Sequence, residues 1–196
     1  MKRYVLYILL MISLFILTSC NGNENLAADD IKVNTVLIKG NGGIQSAMVG
    51  DFDKSYYSEE EFKNFVDEEI SEYNQTKTKD AVSMKFFEIK DNIARVILNF
   101  SNIENYALFN NVGAEYITTR EAMDHENIPD EFVSAKDGTK VSKEEALIDE
   151  KCRVIILSEP LDIRVEGKVK YYANSVLLND KAVQSTEGIS VVVIKP

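Results

Sequence analysis

The most reactive side chains in this sequence are two cysteines, Cys20 and Cys152, and a single histidine, His125. A thiol and an imidazole form a nucleophilic dyad when they lie within hydrogen-bond reach and the thiol is polar and partly open. Cys152 instead stands near the start of the apolar segment KCRVIILSE, where a free cysteine behaves as a small buried hydrophobe. The sequence therefore predicts no catalytic residue.

The segment MDHENIPDE is where the imidazole stands among carboxylates. Its ionisable residues are Asp124, His125, Glu126, Asp130 and Glu131. Imidazole and carboxylate groups can bind a divalent ion together, but this spacing matches neither an EF-hand loop nor a two-histidine zinc motif. The glycine-rich turn KGNGG likewise lacks the patterns of phosphate-binding loops. We therefore expect surface loops at both places, and no metal ion or other cofactor.

Cys20 lies at the end of an export signal. Lys2 and Arg3 are followed by an uncharged and mostly apolar stretch from Val5 to Leu17, which is the order of a secretory signal peptide. The stretch is too short to span a bilayer core, since a spanning helix needs about 20 apolar residues. Leu17-Thr18-Ser19-Cys20 closes the stretch, and the chain becomes polar directly afterwards.

The motif Leu17-Thr18-Ser19-Cys20 resembles the lipobox of bacterial lipoproteins. In that family a peptidase cuts directly before the cysteine, and the cysteine sulfur carries a diacylglyceryl group. The resemblance implies a signal peptide over residues 1–19, cleavage between Ser19 and Cys20, and a lipid on Cys20 that anchors the protein to the cell membrane, facing outside the cytoplasm. Two acyl chains anchor stably, where one chain holds only marginally. The alternative is an ordinary secretory signal with an incidental cysteine.

The charge of the chain limits its partners. Removal of residues 1–19 takes away Lys2 and Arg3, so 22 basic residues become 20 against 32 acidic ones, and the net charge changes from −10 to about −12. Such a surface repels polyanions, and the sequence holds no basic stripe to neutralise phosphates. We therefore expect no nucleic acid partner, membrane contact through the diacylglyceryl lipid on Cys20, and an unknown envelope protein or ligand.

The patterning predicts one α+β domain over residues 33–196, preceded by a flexible tether over residues 20–32. Asn41-Gly42 and Asp91-Asn92 mark the turns of two β-hairpins. A longer amphipathic helix is expected over residues 58–74, where a capping-box pattern precedes apolar residues at helical spacing. The face expected to pack on the core consists of Phe62, Phe65, Val66, Ile70 and Tyr73. Two or three short helices and a mostly antiparallel sheet complete the prediction.

Three groups of aromatic residues could line a binding groove, since aromatic rings and a few polar groups make up many ligand and partner sites. These groups are Tyr56-Tyr57, Tyr106 with Phe109, and Tyr171-Tyr172. The other interpretation is that one ring of each group belongs to the core and the other covers a sheet edge.

The lipobox, the lead DFDKSYYSEEEF into the longer helix, and YALFN after a pair of strands together resemble small single-domain lipoproteins of Gram-positive type with uncharacterised function. The resemblance implies no functional residue other than Cys20. We therefore expect a membrane-anchored lipoprotein with a non-catalytic extracytoplasmic binding or interaction module. Two alternatives remain: a small-solute or cation-binding lipoprotein, and a small envelope hydrolase.

Overall fold

The computed structural model of the chain describes residues 24–77 and 81–196. The predicted signal peptide, its cleavage site at Ser19 and the predicted lipid attachment at Cys20 lie outside these residues. The helices are α1 (Glu59–Gln75), α2 (Ile103–Asn110), α3 (Thr119–Met123) and α4 (Lys143–Ala146). The strands are β1 (Thr35–Ile38), β2 (Ile44–Asp51), β3 (Val82–Lys90), β4 (Ile93–Phe100), β5 (Ala114–Thr118), β6 (Glu131–Ser134), β7 (Lys140–Ser142), β8 (Arg153–Leu157), β9 (Asp162–Val165), β10 (Lys168–Ala173), β11 (Ser175–Asn179), β12 (Ala182–Ser185) and β13 (Ser190–Lys195).

The strands of the described residues form two sheets. Sheet A has the order β11-β12-β9-β1-β2-β4-β3, and sheet B has the order β5-β8-β13-β10-β6-β7. Neighbouring strands run antiparallel, except that β1 and β9 are parallel. The predicted α+β fold, with mostly antiparallel pairing, one longer helix and three short ones, is confirmed. The division of the strands between two sheets was not predicted.

Two hairpins form where the sequence places residues that tolerate a left-handed backbone. In the turn between β1 and β2, Gly42 has a φ of 85°, and the Lys39 N–H donates to the Gly43 carbonyl at 2.9 Å. Between β3 and β4, Asp91 and Asn92 have φ values of 54° and 60°. Positive φ at both central positions gives a two-residue turn the twist that matches its strands. Both predicted hairpins are confirmed.

The two sheets face each other across the main hydrophobic core. Successive side chains of a strand point to opposite faces, so alternate residues of β8 and β13 face sheet A. The main core includes Val36, Ile38, Ile163 and Val165 from sheet A, and Ile155, Leu157, Val192 and Ile194 from sheet B. The second core lies on the other face of sheet B, with the short helices α3 and α4, and includes Ala122, Ala146, Val154, Ile156, Val191 and Val193.

Residues 24–32 pack on the outer face of sheet A. Leu26 and Ile31 are buried there in a third apolar cluster with side chains of β1, β2 and β4. The Leu26 N–H also donates to Gln45 Oε1 at 2.8 Å. The predicted tether over residues 20–32 is therefore corrected: residues 24–32 belong to the packed domain. Burial of a leucine or isoleucine side chain contributes about 1.5–3 kcal/mol, which offsets part of the entropy lost by ordering this otherwise polar segment.

Candidate functional site

Helix α1 packs against β3 and, together with β2 and β4, borders an open groove that we name the α1 groove. Its volume is about 750 Å³, which lies within the range of small-molecule sites. Its walls are formed mainly by Met48, Phe52, Tyr56, Tyr57, Phe62 and Phe65. The groove is therefore mostly apolar and aromatic.

Helix α1 forms one wall of the groove and is fixed at both ends. Before its first turn, Ser58 Oγ accepts a hydrogen bond from the Glu61 N–H at 3.3 Å, which satisfies one of the free N–H groups of a helix start. In its last turn, the Asn74 side chain bonds to the N–H and the carbonyl of Val82 in β3 at 3.0 and 2.8 Å. The helix predicted over residues 58–74 is thus found, with Ser58 as its cap.

The aromatic wall is built from rings that support one another. The ring centroids of Phe52 and Tyr57 lie 5.0 Å apart, those of Phe52 and Phe62 lie 5.8 Å apart, and those of Tyr56 and Tyr57 lie 5.0 Å apart. Such contacts hold aromatic side chains in favourable relative orientations. Tyr56 is nevertheless 76% exposed, and Phe65 is 57% exposed. The rings therefore present apolar surface that the fold leaves open to solvent.

The floor of the groove is low because two small residues lie side by side. Gly50 of β2 pairs with Ala94 of β4, and directly paired residues share a face of the sheet. A Cβ atom at Gly50 would meet no heavy atom within 4 Å. The neighbouring pair on the same face, Met48 and Val96, carries larger side chains. The open space above Gly50 and Ala94 is thus a consequence of side-chain size.

The charged residues of the groove lining are all acidic. They are Asp51, Glu61 and Glu69. Within residues 24–77 and 81–196 none of the three has an ion-pair partner, whereas Lys63 of α1 is paired with Asp67 at 2.6 Å. An apolar groove with unneutralised carboxylates has a negative potential, which favours a positive group on whatever binds there.

The thiol and the imidazole do not form a dyad. Cys152 is buried in the second core, and burial together with the Asp149 carboxylate raises the pKa of its thiol. His125 Nδ1 accepts from the Asn127 N–H at 3.2 Å, and its Nε2 lies 3.2 Å from Glu115 Oε2. Both ring nitrogens thus have partners other than the thiol. A raised thiol pKa lowers the thiolate fraction, which is the opposite of activation.

The acidic segment around His125 does not gather its side chains into one cluster. Glu131 lies in β6 and pairs with Lys140 of β7 at 2.6 Å. In the part of the chain that the structure describes, no three His, Cys, Asp or Glu side chains are grouped so that they could hold a metal ion.

The three aromatic groups considered as possible groove linings lie in different parts of the fold. Tyr56-Tyr57 and Phe109 line the α1 groove. Tyr106 lies in the main core, where its hydroxyl donates to Glu159 Oε2 at 2.6 Å, and burial is the main cause that raises its pKa. Tyr171-Tyr172 pack on the two cores at opposite faces of sheet B. One of the three groups and part of a second therefore contribute to the groove.

Most groove residues were not predicted as such, among them Met48, Gly50, Phe52 and Phe65. Phe65 was expected in the core because it shares a helix stripe with Phe62 and Val66, but it is exposed. The apolar stripe of α1 is therefore wider than the part of sheet A against which the helix packs. The sequence does carry a usable signal, since five aromatic residues are concentrated between positions 52 and 65.

No protein-family profile, curated protein or solved structure matches this chain. Among the residues that the structure describes, none of the helices combines the length and apolar character needed to cross a bilayer. The α1 groove must therefore be interpreted from its own geometry and chemistry.

Proposed function

We propose that this chain is a membrane-anchored lipoprotein whose extracytoplasmic domain is a non-catalytic binding module, with the α1 groove as its binding site. The observation that carries the proposal is the exposed aromatic surface around an open cavity of about 750 Å³. Concave sites lined by aromatic side chains and a few polar groups are typical of ligand binding, and contiguous exposed apolar surface commonly marks interaction sites.

The ligand we propose is an amphiphile with an apolar body and a positive charge. The aromatic walls would bury the apolar body, because burial of apolar surface is the main favourable term in association. Asp51, Glu61 and Glu69 would attract the positive group, and the net charge of about −12 expected for the mature chain acts in the same direction.

The neutral polar groups at the groove support binding in preference to hydrolysis. Ser58 Oγ accepts from the Glu61 N–H and caps α1. Asn34 Oδ1 accepts from the Val49 N–H at 2.9 Å. Both side chains thus satisfy backbone donors of the fold, and neither is paired with a histidine base.

The anchoring part of the proposal is tested at Cys20. Cys20→Ala removes the sulfur that would carry the lipid, so we expect an unprocessed precursor that does not incorporate radiolabelled palmitate. The control is Cys152→Ala, which removes the other thiol and should be processed and labelled normally. A Cys20→Ala chain that is still cut, labelled and recovered with membranes would contradict the lipobox interpretation.

The binding part is tested with N-phenyl-1-naphthylamine, a neutral apolar dye that fluoresces in apolar sites. A secreted form, with Cys20→Ser behind a non-lipidating signal, is used to keep bilayer out of the assay. Phe65→Ser should abolish the rise in dye emission. Ile148→Ser makes the same kind of change at an apolar residue that is 80% exposed and outside the groove, and should bind dye normally. Equal dye binding by both variants would contradict the assignment of the site.

The charge of the ligand is tested by displacing the dye with two amphiphiles of equal chain length, an alkyl trimethylammonium and an alkyl sulfonate. We expect the trimethylammonium compound to displace dye at lower concentration. Glu61→Gln with Glu69→Gln should remove that preference. Glu68→Gln with Glu72→Gln changes the charge of the same helix equally but away from the lining, and should retain it. A sulfonate preference in the unmodified chain would contradict the proposed ligand class.

A further inference from the structure

The outer face of sheet A exposes two aliphatic side chains at one edge. Val176 and Leu178 of the edge strand β11 are 53% and 48% exposed. Leu177, between them, packs on the main core. Because side chains alternate along a strand, Val176 points away from that core toward the outer face. Leu178 lies where the register between β11 and β12 shifts, and it is exposed as well.

The N-terminal end of the described chain lies beside this edge. Glu24 forms an ion pair with Lys181, which lies in the turn between β11 and β12. Only four positions separate Glu24 from Cys20, a distance of at most about 14 Å in a fully extended chain. A lipid on Cys20 would therefore hold the β11 edge next to the bilayer.

The charges around the turn between β11 and β12 are paired. Lys181 pairs with Glu24, and Lys168 pairs with Asp180 at 3.4 Å. This surface is thus locally balanced in a chain whose net charge is strongly negative. Balanced charge lets the surface approach a lipid headgroup layer without the repulsion that the rest of the protein would meet.

We propose that the outer face of β11 rests on the membrane surface, with Val176 and Leu178 in contact with the boundary between lipid headgroups and acyl chains. The proposal rests on lipidation of Cys20. Two aliphatic side chains are too few to bind a membrane alone, but a short anchor makes the contact intramolecular and gives it a high effective concentration. The side chains, and not the edge of the sheet, enter the boundary, so the backbone of β11 stays at the level where water and headgroups can bond to it.

The chain contains no tryptophan, so a single introduced indole reports on one position. The experiment uses the full, lipidated chain in phosphatidylcholine vesicles with brominated or ordinary acyl chains. In Leu178→Trp we expect emission to shift to shorter wavelength and to be quenched by brominated lipid, at a depth of about 5–10 Å into the boundary. Val176→Trp is a second reporter with the same expectation. Ile148→Trp is the control, because Ile148 follows α4 on the far side of sheet B and should not be quenched.

Vesicle flotation of the same samples separates the two levels of the proposal. Flotation with quenching at positions 176 and 178 but not at 148 supports the contact. Flotation with quenching absent at 176 and 178, or equal at all three positions, overturns the contact and leaves lipid anchoring intact. Failure of the unmodified chain to float with the vesicles overturns the anchor and the contact together.

Discussion

The inner face of sheet A is covered in two different ways. Over β1 and β9 it faces sheet B, and residues such as Ile38 and Val165 are buried in the main core with Leu157 of β8. Near the junction of β2 with β4 it faces helix α1, whose only buried side chain is Val66. The sheet-covered region is closed, whereas the helix-covered region contains the α1 groove.

The two regions differ in geometry more than in composition. A sheet covers another sheet over a broad surface, with interdigitating side chains across a layer about 10 Å thick. A helix presents only an apolar stripe, so part of the sheet beside it stays open. Gly50 and Ala94 lie at this open part. The apolar residues on the inner face of sheet A therefore form a closed core in one region and a candidate binding surface in the other.

The largest expected effect is at the closed region. Leu157→Ala removes a fully buried side chain, and we expect a loss of about 2–5 kcal/mol in the free energy of unfolding. The matched change in the open region, Phe65→Ala, should alter it by less than about 0.5 kcal/mol, as is usual at exposed positions. Urea unfolding of both variants gives the two values. Similar losses would mean that the two regions are equally packed.

An intermediate effect is expected at Tyr106, whose hydroxyl donates to Glu159 in the main core. Tyr106→Phe removes that donor and should lower the free energy of unfolding by about 1–2 kcal/mol at neutral pH. The expected loss is smaller than for Leu157→Ala because the ring and its contacts remain.

The same variant should change the alkaline sensitivity of the protein. Burial and Glu159 raise the pKa of Tyr106 above its ordinary value of 10.0, so above pH 10 the folded chain keeps a proton that the unfolded chain releases. The contribution is complete below pH 10 and is lost as the pH rises further. Stability measured between neutral and high pH should therefore decline less steeply in Tyr106→Phe than in the unmodified chain. An unchanged slope would place the alkaline sensitivity in other groups, such as Tyr73 and Tyr116, whose pKa values are also raised.

The smallest expected effect is at the start of α1. Ser58→Ala removes the acceptor for the Glu61 N–H and should cost about 1 kcal/mol. Ser71→Ala is the matched control, because it makes the same serine-to-alanine change at an exposed position inside α1, where alanine is a good helix former. A stability loss in Ser71→Ala as large as in Ser58→Ala would show that the cap does not hold the helix wall of the groove.

Local features of the fold were predictable because they depend on neighbours in the chain. The turn at Asp91-Asn92 follows from residues that accept positive φ. The start of α1 at Ser58 follows from a side chain that can accept a helix N–H. Val96 and Leu98 of β4 lie together in the main core because every second side chain of a strand points to the same face. Each of these sequence signals lies within a few consecutive residues.

Features that join distant segments were not predictable in the same way. The parallel pairing of β1 with β9 brings Val36 next to Ile163, and no local signal selects one strand from many with similar patterns. Leu26 and Ile31 stand in a polar segment and become buried only because sheet A offers an apolar outer face. The candidate site shares this limit. Aromatic residues were expected near positions 56 and 109, but the open space at Gly50 depends on its pairing with Ala94 of the neighbouring strand.

By itself the sequence determined a strongly acidic chain, two hairpins and a capped amphipathic helix, and it predicts an export signal that ends before Cys20. Only the tertiary structure decided how much of that helix is buried, and hence that Phe65 lies in an open groove and not in the core. The reason is physical: backbone preferences and periodicity are properties of short segments, whereas burial depends on the size and shape of the surface that another segment supplies.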